Sequence, residues 1–401
     1  MTTEPKEASH AALDDWLQLR LTTLQVDGRC RDRAVTRTGP GWCDRNGQRL
    51  LNFASNDYLG LSHDERVCEA FAQVAREGAG SGASALVTGR SEWHERLETT
   101  IANFEGTEAA MLFPSGYAAN VGTLAALLAP EDVVFSDRLN HASLIDGCRL
   151  SGAQLRVYRH DELEKLDERL GRQTVTRRFI VTDGVFSMDG TIAPLLELCE
   201  LAEKHDAILI VDEAHGTGVV GHNGRGASEF AGVENRIPVR LGTLSKAIGT
   251  LGGFVAGSQQ LIDYLWNSAR SQFFSTALPP AVCAAAVAAF EVLQVEPERR
   301  ERVQGHARLL RELLPSDRNS QCDNPIVPIV PVVIGSESAA VTAAKRVEDD
   351  GFLVACVRPP TVPNNTSRLR VSLSADHSED DVRRLTESIT RAVQSVQGGT
   401  Q

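Results

Sequence analysis

The sequence lacks the features that would place it among membrane, secreted or nucleic-acid-binding proteins. No window approaches ~18 uninterrupted apolar residues, and the polar start from Met1 to His10 has no basic segment leading into an apolar stretch. No lysine- and arginine-rich run stands out, and the formal net charge is −12, from 41 basic and 53 acidic residues. We therefore expect a cytosolic protein whose partners are small molecules, not nucleic acid or membrane.

Cysteine pairs with C-x-x-C spacing are also missing. The eight cysteines are scattered, so neither a zinc site nor a redox motif is indicated, and reduced thiols are expected. No G-x-S-x-G segment occurs, which argues against a hydrolase built around a nucleophile elbow. Asp212 and His215 could be metal ligands, but no third ligand has a suitable spacing, so no metal is predicted.

What the chain does contain, from residue 52 onward, is an alternation of short apolar runs with helical periods. Val133–Phe135, Phe179–Val181 and Ile208–Val211 have the pattern of strands, with a helix at Leu195–His205 between the last two. Such alternation predicts crossover units and a mainly parallel sheet flanked by helices. The predicted fold class is therefore α/β, with a large sheet domain and a smaller C-terminal α+β domain.

The two ends of the chain differ from this central region. We expect an N-terminal arm in residues 1–51, with a helix from Ala11 to Val26, followed by a large domain in residues 52–285. Residues 286–401 are predicted to form the small α+β domain.

Proline and periodicity predict the elements of that small domain. Pro328 and Pro331 interrupt the apolar run Ile326–Ile334, which favours an edge strand because proline cannot donate to a sheet. The other expected elements are helices at Glu296–Leu314, Ser338–Asp349 and Glu379–Val396 and strands at Leu353–Val357 and Leu369–Leu373.

An acid and a histidine follow the apolar strand that ends at Val211. Open α/β sheets bind ligands beyond the carboxyl ends of their strands, which is where Asp212 and His215 would lie. A carboxylate there could hold a cationic ring nitrogen, bind a metal or cap the next turn. Its position alone leaves all three open.

Lys246 lies among small and apolar residues in Gly242–Lys246, ahead of Gly249. Such surroundings should partly desolvate its amine, lower its pKa and make it nucleophilic towards carbonyls, as a Schiff-base lysine requires. A surface lysine on a glycine-rich loop is the alternative. Ser115–Tyr117 precedes an apolar helical run, so its backbone N–H groups could lie at a helix N-terminus and bind a phosphate.

Together these residues resemble the α-oxoamine synthase family of fold-type I pyridoxal-5′-phosphate (PLP) enzymes, which are related to class II aminotransferases. A non-catalytic protein with this fold would be expected to have lost Lys246 or Asp212, and both are present. The resemblance covers most of the chain through ordered matches at Asn56–Leu61, Leu86–Gly89, His94–Glu98, Ser115–Asn120, Asn140–Leu144, Val185–Gly190, Asp212–Gly218, Gly242–Lys246 and Arg358–Pro363.

The resemblance implies PLP as the cofactor and a role for each residue around it. Lys246 would hold PLP as a Schiff base and then remove the Cα proton of the amino acid. Asp212 would face the pyridine nitrogen and keep the ring protonated, so that the cofactor can accept electrons. His215 would hydrogen-bond the phenolic oxygen, and His141 would stack on the ring. The further cofactor contacts would be Gly116, Tyr117, Ser187 and Thr243, with Thr243 at the phosphate.

Arginines are implied for the substrates. Arg370 would bind the amino-acid carboxylate, because a guanidinium matches a carboxylate bidentately, and Arg358 is a second candidate. Thr361 would lie near the substrate. In the N-terminal arm, Arg29 is favoured over Arg31 as the residue that meets the acyl-CoA.

The implied reaction joins an amino acid to an acyl-CoA with loss of carbon dioxide. The segment Arg358–Pro363 favours members that use L-alanine and pimeloyl-CoA or a pimeloyl carrier protein. Other members use glycine or serine with acetyl-, succinyl- or palmitoyl-CoA. The sequence departs from relatives at Ala83 and Ala85, which leaves the substrate contacts of that loop open. A homodimer with shared active sites is also implied by the resemblance.

Overall fold

The computed structural model describes residues 5–26, 30, 33–174, 177–315 and 326–397. Its strands are β1 (Thr36–Gly39), β2 (Trp42–Arg45), β3 (Gln48–Phe53), β4 (Ala109–Phe113), β5 (Val133–Asp137), β6 (Gln154–Tyr158), β7 (Arg178–Asp183), β8 (Ala207–Asp212), β9 (Val239–Thr243), β10 (Gly253–Gly257), β11 (Ile329–Gly335), β12 (Phe352–Val357) and β13 (Ser367–Ser372).

The helices lie between and around these strands, with short helical turns at Leu61–His63, Ala85–Gly89 and Glu234–Arg236. They are α1 (Pro5–Val26), α2 (Glu65–Ala75), α3 (Glu92–Glu105), α4 (Gly116–Leu127), α5 (Ala142–Leu150), α6 (Leu163–Gly171), α7 (Leu195–Lys204), α8 (Ala227–Phe230), α9 (Gln259–Ser268), α10 (Arg270–Phe273), α11 (Pro280–Val295), α12 (Pro297–Leu313), α13 (Glu337–Asp349) and α14 (Glu379–Gln397).

The larger sheet has seven strands in the order β4-β10-β9-β8-β7-β5-β6. The pairs from β9 to β6 are parallel, and β10 runs antiparallel to both of its neighbours. Because parallel strands need crossover connections, helices separate them along the chain. The prediction of an α/β fold with a mainly parallel sheet is confirmed.

Side chains of this sheet are buried on both of its faces. Along β5, β7 and β8 alternate residues enter two different hydrophobic clusters: Phe135, Ile180 and Leu209 lie in one, whereas Phe179 and Ile210 lie in the other. Successive side chains of a strand point to opposite faces, so an uninterrupted apolar run is what a doubly covered strand requires. This explains why these strands appear in the sequence as continuous apolar runs.

The second sheet joins the two ends of the described chain. It has six strands in the order β1-β2-β3-β12-β13-β11, and β3 pairs in parallel with β12. β11 lies at one edge and carries Pro331, as predicted from the prolines of that run.

The structure adds detail to the predicted domain limits. Residues 36–53 of the expected arm form strands of the second sheet, together with strands from the C-terminal part. The expected limit between residues 285 and 286 falls inside α11, which packs against α2 and α3. The division of the chain at residues 51 and 285 stays a prediction.

The segment that follows β3 contacts residues that follow strands of both sheets, Ala375 after β13 and His215 after β8. The carbonyl oxygen of Tyr58 accepts a hydrogen bond from the backbone N–H of Ala375 at 2.8 Å. Gly60 has φ of 67°, and a Cβ at this position would collide with the carboxylate of Asp376, so only glycine fits. These constraints hold the side chains of Asn56 and Tyr58 beside the carboxyl edge of the larger sheet.

The apolar helices of the chain are too short or too polar to span a membrane singly within the described residues. The bent pair α11 and α12 meets the length and composition test only when its two helices are taken together, and they meet at 76°.

Candidate active site

A cavity of about 260 Å³ opens where the parallel strands of the larger sheet end. Strands β7, β8 and β9 end there at Asp183, Asp212 and Thr243. The cavity brings together seven of the eight residues that the resemblance assigns to the cofactor, all except Ser187. Its lining consists of Ser115, Gly116, Tyr117, Asn120, His141, Ser143, Asp183, Val185, Asp212, Ala214, His215, Thr243, Ser245 and Lys246.

Lys246 is half-buried in the turn that links β9 to β10. The turn is closed by hydrogen bonds from the N–H of Gly249 to the carbonyl of Lys246 and from the N–H of Thr250 to the carbonyl of Leu244, both 2.8 Å. Removal from water lowers the pKa of the Lys246 amine to about 8, although the carboxylates of Asp212 and Asp183 oppose this shift. A larger share of the amine is therefore neutral near neutral pH, which a nucleophile or a base requires.

Four side chains on one side of the cavity form a continuous hydrogen-bonded chain, which we call the inner network: Asp212, Asn120, Ser143 and His141. The amide of Asn120 donates to Asp212 Oδ2 at 2.6 Å and to Ser143 Oγ at 2.8 Å. Nδ1 of His141 lies 2.7 Å from Ser143 Oγ and also accepts the backbone N–H of Ser143. Because Nδ1 accepts that N–H, the Ser143 hydroxyl donates to it, and the ring proton of neutral His141 lies on Nε2.

Asp183 is a site residue that the sequence analysis did not single out. It is buried next to Asp212 in register, and its Oδ2 accepts the backbone N–H of His141 at 3.0 Å. Burial, followed by the charge of Asp212, raises the pKa of Asp183 well above its ordinary value. A signal was present in the sequence, because an apolar run ends in an acid at Asp183 just as it does at Asp212.

A second set of four side chains meets the cavity at His215, and we call it the bridging network: Asn56, Tyr58, His215 and Arg370. Tyr58 Oη lies 2.7 Å from His215 Nδ1, and Arg370 Nη2 donates to Tyr58 Oη at 3.4 Å. Both terminal nitrogens of Arg370 also reach Asn56 Oδ1 at 3.3 Å. Burial, with the positive charges of Lys246 and Arg370, lowers the pKa of His215 well below its usual value, so this imidazole is neutral.

The end of the cavity at α4 has the properties of an anion site. Ser115 caps the helix by accepting the N–H of Ala118 at 3.1 Å, and a Cβ added to Gly116 would lie 3.0 Å from Cβ of Thr243. The hydroxyls of Thr243 and Ser245 lie 2.8 Å apart beside this helix end. N–H groups at a helix N-terminus with neighbouring hydroxyls suit a phosphate.

A second cavity of about 530 Å³ shares His141 with the first. The predicted substrate residue Thr361 lines it. Ser187 lines it as well, and the Ser187 carbonyl accepts a hydrogen bond from Nε of Arg370 at 2.5 Å. Contact of Ser187 with the cofactor and of Thr361 with substrate stays a prediction.

The other predicted arginines have different positions. Arg370 is buried on β13 within the bridging network. Arg358 is half-buried just beyond β12 and is not among the residues that line either of these two cavities. Arg29 and Arg31 lie outside the described residues, so their predicted contact with the acyl-CoA stays a prediction.

The donor set around the first cavity fits PLP. Asp212 is a buried carboxylate suited to a cationic ring nitrogen, Lys246 is an amine suited to an aldehyde, and the start of α4 is suited to a phosphate. His141 and His215 supply an exposed and a buried imidazole on the same cavity. Within the described residues no group of three or more His, Cys, Asp or Glu side chains has the arrangement of a metal site.

Comparison with known proteins gives matches over nearly the whole chain. The family model for aminotransferase class I and II matches residues 48–389. The chain is similar to a putative 8-amino-7-oxononanoate synthase 2 of Bacillus velezensis, with 49% identity over 379 residues, 94% of this chain and 96% of the relative. Further curated relatives with the name 8-amino-7-oxononanoate synthase are 43–49% identical.

The chain is also similar in structure to solved enzymes with related names. A lysine-to-alanine variant of serine palmitoyltransferase from S. paucimobilis, with PLP and myriocin bound, has a TM-score of 0.89 and 30% identity, covering 96% of this chain and 99% of that one. A crystal structure of 8-amino-7-oxononanoate synthase from Francisella tularensis has a TM-score of 0.74 and 29% identity, covering 86% and 98%.

Proposed function

The chain belongs to the aminotransferase class I and II family, and on that premise we propose that it joins L-alanine to a pimeloyl thioester with loss of carbon dioxide. The product is 8-amino-7-oxononanoate. The observation that carries the proposal is the meeting of Lys246 and Asp212 in one cavity, beside His141 and His215. The similarity to α-oxoamine synthases and PLP as cofactor, both predicted from the sequence, are confirmed.

The reaction balances without an external oxidant or reductant. A bond forms between Cα of alanine and the thioester carbonyl carbon, while the carbon–sulfur bond breaks and releases the thiol. The carboxylate derived from alanine then leaves as carbon dioxide, and a proton returns to the same carbon. PLP supplies the electron sink that stabilises negative charge at Cα when it is bound.

The residues of the chain account for proton transfer and orientation. Lys246, with its pKa lowered to about 8, is the base that accepts the Cα proton and later returns one. Asp212 holds a buried negative charge at the position proposed for the ring nitrogen. Arg370 offers its guanidinium to the substrate carboxylate, which fixes the bonds at Cα relative to the base.

The second cavity is the proposed site for the acyl thioester. It shares His141 with the cofactor cavity, and its apolar side chains, including Ile145, Phe186 and Val362, suit a methylene chain. Thr361 is the proposed polar contact near the thioester. Coenzyme A and a carrier protein are both compatible with a cavity that is open to solvent.

A homodimer with shared active sites is a further part of the proposal. Its support in the described residues is α1, whose apolar side chains, including Leu13, Trp16 and Leu19, are exposed in the single chain. Burial of such side chains against a second copy is favourable. Light scattering of the purified protein at working concentration checks this part, and a monomer with full activity contradicts it.

The first experiment is to mix the purified protein with PLP, record visible absorption, and follow thiol release with pairs of amino acid and acyl-CoA. Turnover with L-alanine and pimeloyl-CoA supports the proposal. Turnover only with glycine or serine and another acyl-CoA keeps the reaction type and rejects the substrates. Absence of any cofactor band contradicts the proposal as a whole.

Lys246→Ala is the decisive variant in this experiment. We expect it to lose the Schiff-base absorption band and at least about 10³-fold in turnover, because it removes both the carbonyl-binding amine and the base. Lys204→Ala is the matched control, since this exposed lysine only pairs with Asp167 at 2.7 Å. An unchanged band in Lys246→Ala rules out Lys246 as the cofactor residue.

A further inference from the structure

Tyr58 is a buried tyrosine with no part in the reaction proposed above. Its side chain has 0% relative exposure, and its hydroxyl contacts three polar groups, on Asn56, His215 and Arg370. The hydroxyl therefore joins the imidazole on the cofactor cavity to the arginine proposed for the substrate carboxylate.

The single hydroxyl proton of Tyr58 has two possible acceptors. Nδ1 of His215 lies at 2.7 Å, and Oδ1 of Asn56 lies at 3.2 Å. Asn56 Oδ1 already receives both terminal nitrogens of Arg370. The shorter distance to His215, and the Asn56 oxygen already occupied by Arg370, both favour His215 as the acceptor.

The length of the contact also indicates which partner donates. An N–H group that donates to an oxygen, as His215 Nδ1–H would to Tyr58 Oη, usually lies ~2.9–3.0 Å from it. The 2.7 Å separation between Tyr58 and His215 is shorter than this and favours the hydroxyl as the donor. Arg370 strengthens this donor, because a cation that donates to Tyr58 Oη polarises the O–H bond.

We propose that Tyr58 is a positioning residue that holds its proton against Nδ1 of His215, so that His215 presents an Nε2–H donor to the cofactor cavity. A neutral imidazole whose Nδ1 accepts a hydrogen bond has its ring proton on Nε2. An N–H donor in this position suits an anionic oxygen of a ligand, whereas the opposite tautomer would repel it.

The same hydroxyl orients Arg370. Its Nη2 donates to Tyr58, its Nη1 donates to Ser372 Oγ at 2.7 Å, and its Nε donates to the Ser187 carbonyl. Tyr58 thus contacts both the residue that faces the cofactor and the residue that faces the amino-acid substrate. If the Tyr58 hydroxyl had only a structural role, its loss would leave unchanged which nitrogen of His215 is protonated.

The test is the protonation state of the His215 ring, measured by 15N NMR on protein with labelled histidine, with and without PLP. His215→Gln identifies the signals. In the unmodified protein we expect a protonated Nε2 and an unprotonated Nδ1. A proton on Nδ1 overturns the proposal, and this result does not depend on the folding of any Tyr58 variant.

Tyr58→Phe removes only the hydroxyl and keeps the ring. We expect the His215 nitrogen signals to move towards a mixture of tautomers, with PLP binding weakened on the order of fivefold to tenfold in an absorbance titration, as loss of one hydrogen bond implies. Tyr158→Phe is the matched control, a buried tyrosine on the edge strand β6, and should leave both measurements unchanged. Unchanged His215 signals in Tyr58→Phe also overturn the proposal.

The proposal rests on the cofactor site of the proposed function but not on its substrates. If the protein fails to release thiol from any acyl-CoA while His215 shows the expected tautomer, the proposed function fails and the role of Tyr58 stands. If thiol release succeeds but His215 carries its proton on Nδ1, the proposed function stands and the role of Tyr58 is rejected.

Discussion

The inner and bridging networks flank the same lysine, yet they are built in different ways. Within the inner network, the two hydrogen-bonded residues that are farthest apart in the sequence are Asn120 and Asp212, separated by 92 residues. All four residues of this network lie in the larger sheet or in helices and helix caps beside it. In the bridging network Asn56 and Arg370 are 314 residues apart and come from segments associated with the second sheet. One side of the site therefore forms within one sheet, and the other requires both sheets to dock.

The two networks also carry opposite charges. Asp212 raises the pKa of Lys246 and Arg370 lowers it, so docking of the second sheet adjusts the amine that the first sheet provides. This division suits a reaction in which the inner network faces the cofactor, while the bridging network faces the cofactor through His215 and the substrate through Arg370. Variants at single residues of each network should separate these tasks.

Removing the negative charge of the inner network, at Asp212, should have the largest effect on catalysis. Asp212→Asn keeps the shape but removes the buried negative charge, and we expect kcat/KM for the amino acid to fall by about 10²–10³-fold, as with other single electrostatic groups in active sites. Steady-state thiol release measures it. Asp161→Asn, on an exposed acid, is the control, and a decrease below about threefold in Asp212→Asn would contradict the assignment.

Breaking the bridging network at Arg370 should act mainly on substrate binding. Arg370→Lys keeps a positive charge but loses the planar fork, so we expect KM for the amino acid to rise roughly 10- to 100-fold with a smaller change in kcat. Thiol release at varied amino-acid concentration gives both constants. Arg383→Lys, at an exposed arginine of α14, is the control, and a change confined to the acyl-CoA KM would reject Arg370 as the carboxylate residue.

The smallest expected effect concerns the lysine that both networks flank. The folded-state pKa of Lys246 is about 8 and the ordinary value is 10.5, so between these values the unfolded chain binds more protons at this residue than the folded chain does. The free energy of unfolding of the PLP-free protein should therefore rise with pH through this window, relative to Lys246→Met. Urea unfolding of both proteins at about pH 7.5 and about pH 9.5 measures the difference, and a parallel response contradicts the lowered pKa.

Much of the fold could be predicted because apolar runs and strand-interrupting prolines are local features of the sequence. Helix α7 and strands β5, β7 and β8 lie where periodicity placed them, and Pro331 indicated an edge strand. The pairing of β3 with β12 could not be predicted, because nothing in either segment specifies a partner some 300 residues away.

The candidate site likewise contains residues that the sequence indicated and contacts that it did not. Lys246, Asp212, His215 and His141 were predicted through the resemblance, and the structure brings all four to one cavity. Asp183 was missed although its apolar run ends in an acid. Tyr58 lies in a matched segment, but no sequence pattern indicates that its hydroxyl reaches His215.

The sequence by itself determined three strands of the larger sheet, the acid and the lysine that lie at strand ends, and the family of the chain. These are properties of local patterns and of ordered motifs. Only the tertiary structure decided that Asn56 and Tyr58 meet Arg370 beside His215, because side chains that are distant in the chain come together only when two buried surfaces dock. The pKa of Lys246 is lowered to about 8 chiefly by burial at the edge of the larger sheet, and the charge of Arg370 from the second sheet adds to this shift.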